Sequence, residues 1–250
     1  MEKLVARDGR RKQRLKALIW ASGCSFAVAA GSPSAAAVIY PGPFVGSSVT
    51  YSNVIESSAD PINDPEPLFG PPSIASGNLL DFDPGVNPFS ADSPPADTTD
   101  GSLTFTVTSN NGDPIPGLFI YESGDFAMLG LPTGAEFVAS ILSVRVFDPS
   151  DDSEISPPSP LASVFIEVFD DPPFEGVFWE NSVTVDLSGL GLTEVEIVLN
   201  NTLQAVGDLE QPVTTFIRKK DFKVDVIPEP SSAVLLALGI GAMVTRRRRG

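Results

Sequence analysis

The chain has 250 residues and a formal net charge of −16, from 32 acidic and 16 basic side chains. It contains no histidine and only one cysteine. This composition excludes Ser-His-Asp and Cys-His catalysis, and it excludes zinc sites built from imidazole or several thiolates. A chain of this length can form one sizeable core beside its terminal segments.

The charges are unevenly distributed along the chain. Seven of the 16 basic residues precede Val38 and four follow Thr245, which leaves five basic against 30 acidic residues for the body between them. A body of this charge repels nucleic acid, because nucleic-acid affinity depends on Lys and Arg contacts to phosphate. We therefore expect no nucleic-acid partner, and we favour cations or neutral glycans.

Residues 1–37 have the three parts of a secretory signal peptide. A basic region ends at Lys16, an apolar stretch runs from Ala17 to Ala30, and small residues follow. Ala35 and Ala37 have the small-x-small spacing that signal peptidase recognises. The pattern predicts export across the inner membrane and cleavage after Ala37.

Two alternatives for this leader remain open. Arg10 and Arg11 allow a twin-arginine export route, although the KQRLK segment that follows fits it poorly. Cys24 ends an ASGC segment that resembles a lipidation box, but the apolar run continues beyond it. The ordinary secretory route is the preferred interpretation.

Residues 38–73 are rich in proline, glycine, serine and acidic residues. Proline removes backbone donors and blocks helices, so long regular elements are not expected here. We predict a leader with one short strand near Val49–Ile55. A partly disordered segment is the alternative.

Residues 74–226 alternate short runs of β-branched and aromatic residues with turn clusters. Leu103, Phe105 and Val107 alternate with threonines, which is typical of a strand with one buried and one solvated face. The pattern predicts one all-β domain, an antiparallel β-sandwich of the jelly-roll or immunoglobulin-like kind. The predicted strands are Leu103–Ser109, Gly117–Ser123, Phe137–Phe147, Ala162–Phe169, Val177–Leu187, Thr193–Leu199 and Val213–Val226.

Residues 227–250 carry three signals in a fixed order. An uncharged apolar run can satisfy its backbone inside a bilayer only as a helix, and a basic cluster behind it marks the cytoplasmic side. The signals are the tripeptide Pro228, Glu229 and Pro230, the apolar run Ser231–Thr245, and the basic cluster Arg246, Arg247, Arg248 and Arg249.

In these three parts the tail resembles the PEP-CTERM sorting signal of Gram-negative-type bacteria. The resemblance covers about a tenth of the chain. It implies a short transmembrane helix that holds the protein transiently in the inner membrane, and an exosortase-type enzyme that cuts near the tripeptide. It also implies a final location at the cell surface or in the extracellular matrix.

An ordinary tail anchor is the alternative interpretation of this segment. At a rise of about 1.5 Å per residue the run Ser231–Thr245 spans about 22 Å, which is short of a hydrocarbon core of about 30 Å. A permanent anchor of this length is mismatched with the bilayer, whereas a transient one tolerates the mismatch. The length therefore favours a sorting signal.

Acidic loops are the first candidates for a binding site in the body. Asp148, Asp151, Asp152 and Glu154 lie close together in the sequence. Calcium takes six to eight oxygen ligands, which carboxylates and carbonyls at one end of a sandwich can supply. We keep calcium as a candidate cofactor beside the alternative that these loops only keep an exported protein soluble.

Trp179 is a candidate glycan contact, because an aromatic ring beside Glu180 suits a sugar ring. Core packing is the commoner role of a tryptophan in a strand. Arg218 and Lys220 are further candidates, since they belong to a basic cluster in an otherwise acidic body. This cluster either protects an edge strand from aggregation or docks an acidic extracellular polysaccharide.

The leading functional hypothesis is an exported, non-enzymatic surface or matrix protein that is processed at its tail. The first alternative is a calcium-dependent or polysaccharide-binding adhesive module, which aromatic residues on an open sheet face would favour. The second alternative is a glycan-active enzyme that uses two carboxylates about 5 to 10 Å apart.

Overall fold

The computed structural model describes residues 37–85, 89–93, 95–169, 176–208 and 213–227. These residues belong to one compact unit, Ala35–Gly250. They form two antiparallel sheets and no helix, as in a β-sandwich, which confirms the predicted all-β class. None of them builds a helix that is long and apolar enough to span a membrane.

The strands alternate with turns along the whole of this part of the chain. They are β1 (Val38–Tyr40), β2 (Phe44–Val45), β3 (Val49–Ser58), β4 (Pro72–Ser76), β5 (Leu79–Phe82), β6 (Ser90–Asp92), β7 (Ala96–Ser109), β8 (Gly117–Leu129), β9 (Phe137–Asp148), β10 (Ser153–Ile155), β11 (Ala162–Val168), β12 (Val177–Asp186), β13 (Glu194–Val206) and β14 (Thr214–Val226).

The first sheet has eight strands in the order β1-β3-β7-β13-β9-β10, with β2 paired to β3 and β11 paired to β9. The second sheet has six strands in the order β12-β8-β14-β5-β4, with β6 paired to β14. From β7 to β9, and again from β12 to β14, consecutive strands change sheet. In these two regions, strands that are consecutive in the sequence therefore lie in opposite sheets and face each other across the core.

The core follows from the period-two pattern of these strands. In β7 the side chains of Leu103, Phe105 and Val107 are fully buried, as the alternation with threonine predicts. The second sheet contributes a matching apolar row that includes Leu118 and Ile120 of β8. Burying one such side chain stabilises a fold by about 1.5–3 kcal/mol.

Residues 38–58 belong to the sandwich and not to a separate leader. The predicted short strand near Val49–Ile55 is part of β3, which pairs with β1, β2 and β7 in the first sheet. Val49, Tyr51 and Val54 are buried in the core. The many prolines and glycines of this segment lie mostly between strands, where they interrupt no ladder.

β13 and β14 both lie inside their sheets. β13 pairs with both β7 and β9, so the glutamates Glu194 and Glu196 mark a solvated face and not an edge. β14 pairs with β8 on one side and with β5 and β6 on the other. The basic cluster of β14 therefore protects no edge, which corrects that interpretation.

A buried carboxyl group ties the segment before β4 to β3. Glu56 accepts hydrogen bonds from the backbone N–H of Phe69 (3.0 Å), from that of Leu68 and from the Tyr40 hydroxyl (2.6 Å). Burial raises the pKa of Glu56 above its usual value, although these hydrogen bonds act in the opposite direction. Its charged form is therefore less favourable in the folded chain than in the unfolded chain.

We expect the Glu56→Gln variant to lose stability less steeply with rising pH than the wild type. A raised pKa means that the folded state holds more protons, so this group's contribution to the free energy of unfolding falls as the pH rises above about 4.5. Denaturant titrations between about pH 4 and pH 7 measure the difference. Parallel pH profiles of the two proteins would show that Glu56 titrates normally.

Candidate functional site

Five polar side chains form a cluster in the core between the two sheets, which we call the inter-sheet cluster. Each of them is buried, although four of the five carry a charge or a primary amide. Buried polar groups are costly unless they bond to one another. The members are Glu122 of β8, Ser140 of β9, Asn181 of β12, Asn201 of β13 and Lys219 of β14.

The strand pattern directs these polar residues inward. Glu122, Asn201 and Lys219 each lie two residues from an apolar core residue of the same strand, so alternation places them on the buried face. A polar residue in an apolar row is the signal in the sequence that could have marked each of these three residues as buried. The apolar neighbours are Ile120, Leu199, Leu203 and Ile217.

The centre of the cluster is a triangle of an amine, an amide and a carboxylate. Lys219 Nζ lies 3.0 Å from Glu122 Oε2 and donates to Asn201 Oδ1. Asn201 Nδ2 in turn donates to the same Glu122 Oε2 at 2.8 Å. On the other side of the carboxylate, Glu122 Oε1 accepts from the Ser140 hydroxyl and, at 3.1 Å, from Asn181 Nδ2.

Three phenylalanines surround the lysine end of the triangle. Lys219 Nζ lies 4.5 Å from the ring centroid of Phe69, 4.2 Å from that of Phe89 and 4.9 Å from that of Phe222. The negative faces of the rings attract the ammonium group, but the rings also exclude the water that would otherwise hydrate it. Burial lowers the pKa of Lys219, and the charge of Glu122 opposes this shift.

A β-bulge sets the position of Lys219. Lys219 pairs with Gly124 and Asp221 pairs with Ser123, so Lys220 is the extra residue and projects outward. A Cβ atom at Gly124 would lie 1.7 Å from the Arg218 carbonyl oxygen. The strands approach this closely only because position 124 is glycine.

Trp179 packs in the core and offers no surface to a glycan, which corrects its role as a candidate contact. Its side chain is 1% exposed. The indole stacks on Phe165 with 5.7 Å between ring centroids, and its Nε1 donates to the Arg218 carbonyl at 3.1 Å. The commoner role of a strand tryptophan therefore applies here.

Arg218 and Lys220 lie at the surface but already have acidic partners. Lys220 Nζ is 2.9 Å from Asp125 Oδ2. Arg218 lies 3.9 Å from Asp92 and its guanidinium stacks over the Phe216 ring at 4.5 Å. These partners neutralise much of the positive charge that an acidic polysaccharide would meet.

An open groove lies where β12 of the second sheet adjoins β11 of the first, and we call it the outer groove. It has a volume of about 550 Å³. Phe119 and Tyr121 of β8 line it, with ring centroids 6.4 Å apart and ring planes 24° apart. Glu180 and Ser182 add polar groups. Stacked rings beside polar groups suit the faces and hydroxyls of sugars.

The acidic loop between β9 and β10 uses its carboxylates locally. Asp148 and Asp151 each accept the backbone N–H of the residue two positions later, at 2.9 and 3.0 Å. Glu154 forms two hydrogen bonds with Arg145, at 3.1 and 2.7 Å, and Asp152 adopts a left-handed turn conformation. Across the described ranges no three acidic side chains are arranged to hold a metal ion.

We expect calcium to leave the melting temperature of the body unchanged. Glu154 is committed to the guanidinium of Arg145, whose charge also repels a cation approaching the loop. Thermal melting with calcium and then with excess chelator measures the effect. A calcium-dependent rise in the midpoint would restore the calcium hypothesis and would show that the loop rearranges.

Most of the predicted sorting residues lie outside the described residues. These include Ala35 and everything from Pro228 to Gly250. Ala37 is exposed and directly precedes β1.

The chain matches no model of a known protein family. A search of curated proteins likewise finds no significant match.

Proposed function

We propose that the chain is an exported cell-surface or extracellular-matrix protein that is sorted and processed through a PEP-CTERM tail. The observation that carries the proposal is the order of tripeptide, apolar run and arginine cluster in residues 227–250. Signal peptidase and an exosortase-type enzyme are the processing partners, and the inner membrane holds the chain transiently. The body acts as a non-enzymatic sandwich of the jelly-roll or immunoglobulin-like kind.

The end of the sandwich supports processing at the tripeptide. β14 ends at Val226, and the N–H of Ile227 donates to the Gly117 carbonyl at 3.0 Å. In the sequence, Pro228 therefore directly follows a residue that is hydrogen-bonded to the sheet. A cut at or beyond the tripeptide would remove the apolar run and leave every strand of the described residues in place.

The proposal is tested by following the chain in a host that has an exosortase-type enzyme. We expect the wild type to lose Ser231–Gly250 and to leave the inner membrane. A variant with Pro228→Ala and Glu229→Ala should remain uncut in the membrane fraction. Equal processing of both proteins would contradict the proposal, as would a wild type that keeps its tail.

The chain offers a matched control for this experiment. Residues 65–67 repeat the proline-glutamate-proline sequence inside the body, and Pro65 is exposed. Replacing Pro65 with alanine changes a tripeptide that is identical to Pro228–Pro230 but is not followed by a long apolar run. Pro65→Ala should therefore be processed like the wild type.

Polysaccharide binding is the second candidate function, and the outer groove favours it. Phe119 is 41% exposed and stacks beside Tyr121 on an open sheet face. The Tyr121 hydroxyl lies 3.4 Å from Glu180 Oε2, which places a polar pair next to the rings. The acidity of the body favours a neutral glycan over an acidic one.

Retention on extracellular polysaccharide from the producing cells tests this candidate. We expect the double variant Phe119→Ala with Tyr121→Ala to bind about tenfold more weakly, which corresponds to a loss of about 1.4 kcal/mol. Phe178→Ala removes a ring that is 63% exposed outside the groove and should bind normally. Equal retention of all three proteins would exclude the groove as the glycan site.

A further inference from the structure

We propose that Lys219 and Asn201 form an intramolecular amide bond, with Glu122 as the catalytic carboxylate. This bond would join β13 of the first sheet to β14 of the second through their side chains. The inference rests on the inter-sheet cluster alone and is independent of how the protein is sorted.

The geometry places the nucleophile, the electrophile and the proton carrier in mutual contact. Lys219 Nζ touches Asn201 Oδ1, so the amine lies beside the amide carbonyl that it would attack. One oxygen of Glu122, Oε2, lies 3.0 Å from the amine and 2.8 Å from Asn201 Nδ2. A single carboxylate oxygen therefore contacts both the attacking and the leaving nitrogen.

The reaction balances without any further reactant. The Lys219 ammonium first passes a proton to Glu122, and the neutral amine adds to Cγ of Asn201 to form the new C–N bond. Glu122 then passes this proton to Nδ2 as the C–Nδ2 bond breaks, and it takes up the second proton that Nζ releases. The products are a secondary amide, a protonated Glu122 and one molecule of ammonia.

The surroundings favour the first proton transfer. Lys219 is buried among Phe69, Phe89 and Phe222, and this burial lowers the pKa of its amine. Transfer of the proton to Glu122 replaces a buried ion pair by two neutral groups, which reduces the cost of burying charge. A neutral amine is the form that acts as a nucleophile.

The second amide of the cluster is not placed for the same reaction. Asn181 Nδ2 faces the other carboxylate oxygen, Oε1, and also approaches the Ser163 carbonyl at 3.4 Å. Among the described residues, the side-chain amine of Lys219 has Asn201 as its hydrogen-bond partner besides Glu122. Asn201 is therefore the amide that would be consumed.

The bond would close a short covalent loop. The two residues are 18 positions apart in the chain. A cross-link of this kind restricts the unfolded chain and so stabilises the fold. It would also tie β14, which precedes the tail in the sequence, to an interior strand of the opposite sheet.

Peptide mass spectrometry of the purified full chain tests the bond. We expect a branched peptide that joins Asn201 to Lys219 and weighs one ammonia less than its unlinked parts. Lys219→Met and Asn201→Ala should each abolish it, and Glu122→Gln should leave both partners unlinked. Lys220→Gln, which changes the neighbouring surface lysine, should keep the bond. Asn201→Asp should form the same link with loss of water instead of ammonia.

The wild-type peptides decide the bond by themselves, whether or not each variant folds. Separate peptides with a free Lys219 and an intact Asn201 in the folded protein would overturn the proposal. A loss of ammonia confined to Asn201, with Lys219 still cleavable by trypsin, would also overturn it, because it would indicate a cyclic imide. A bond that forms at the wild-type level in Glu122→Gln would remove Glu122 from the mechanism.

Discussion

Replacing Glu122 with alanine is expected to lower the free energy of unfolding by about 3–5 kcal/mol, because it leaves Lys219 as an uncompensated charge in the core. Lys219 has no exposed surface, and Glu122 is its acidic partner at 3.0 Å. Loss of the proposed amide bond would act in the same direction. Denaturant titration at neutral pH measures the difference.

A second variant separates the unpaired charge from the other effects of this substitution. Glu122→Leu combined with Lys219→Met removes both charges and fills similar volume, so it should be more stable than Glu122→Ala. Glu154→Ala is the exposed control, since it breaks the Arg145 ion pair at the surface and should have a much smaller effect. A Glu122→Ala protein as stable as the wild type would show that the buried pair does not form.

Replacing Phe69 with alanine is expected to cost about 3–5 kcal/mol of stability, as for other large-to-small changes in a packed core. Phe69 lies in the segment between β3 and β4 and is fully buried. Its ring makes edge contacts with Phe82, Phe89 and Phe222 at centroid distances of 6.5, 5.3 and 5.0 Å. The substitution also removes one of the rings around Lys219.

Phe178→Ala provides the matched control for the core substitution. This phenylalanine is 63% exposed on β12, so its removal should change stability by no more than about 0.5 kcal/mol. Thermal or denaturant unfolding of both variants gives the comparison. Equal small losses would indicate that the segment carrying Phe69 does not pack into the sandwich.

The strands of the body could be predicted because apolar and polar side chains alternate along many of them. Phe137–Phe147 is apolar on both faces, which is typical of a strand inside a sheet. It forms most of β9, which pairs with β13 on one side and with β10 and β11 on the other. Strand lengths were less predictable where polar residues continue a ladder. β13 runs on to Val206 through Asn200, Asn201 and Thr202, because pairing with two neighbours satisfies its backbone.

The inter-sheet cluster could be predicted only in part. Alternation separates Lys219 from Arg218 and Lys220, so the sequence indicates that one lysine faces away from the other two basic residues. The pairing of that lysine with Glu122 and Asn201 depends on which strands meet across the core. That is a long-range property of topology, and no local pattern encodes it.

The most direct test of the proposed function is mass spectrometry of the mature protein from fractionated cells, because it fixes both termini and the compartment together. We expect a chain that begins at Val38, ends near Pro228–Pro230 and occurs in the surface or extracellular fraction. A chain that retains Ser231–Gly250 in the inner membrane would contradict it and would establish a permanent anchor instead.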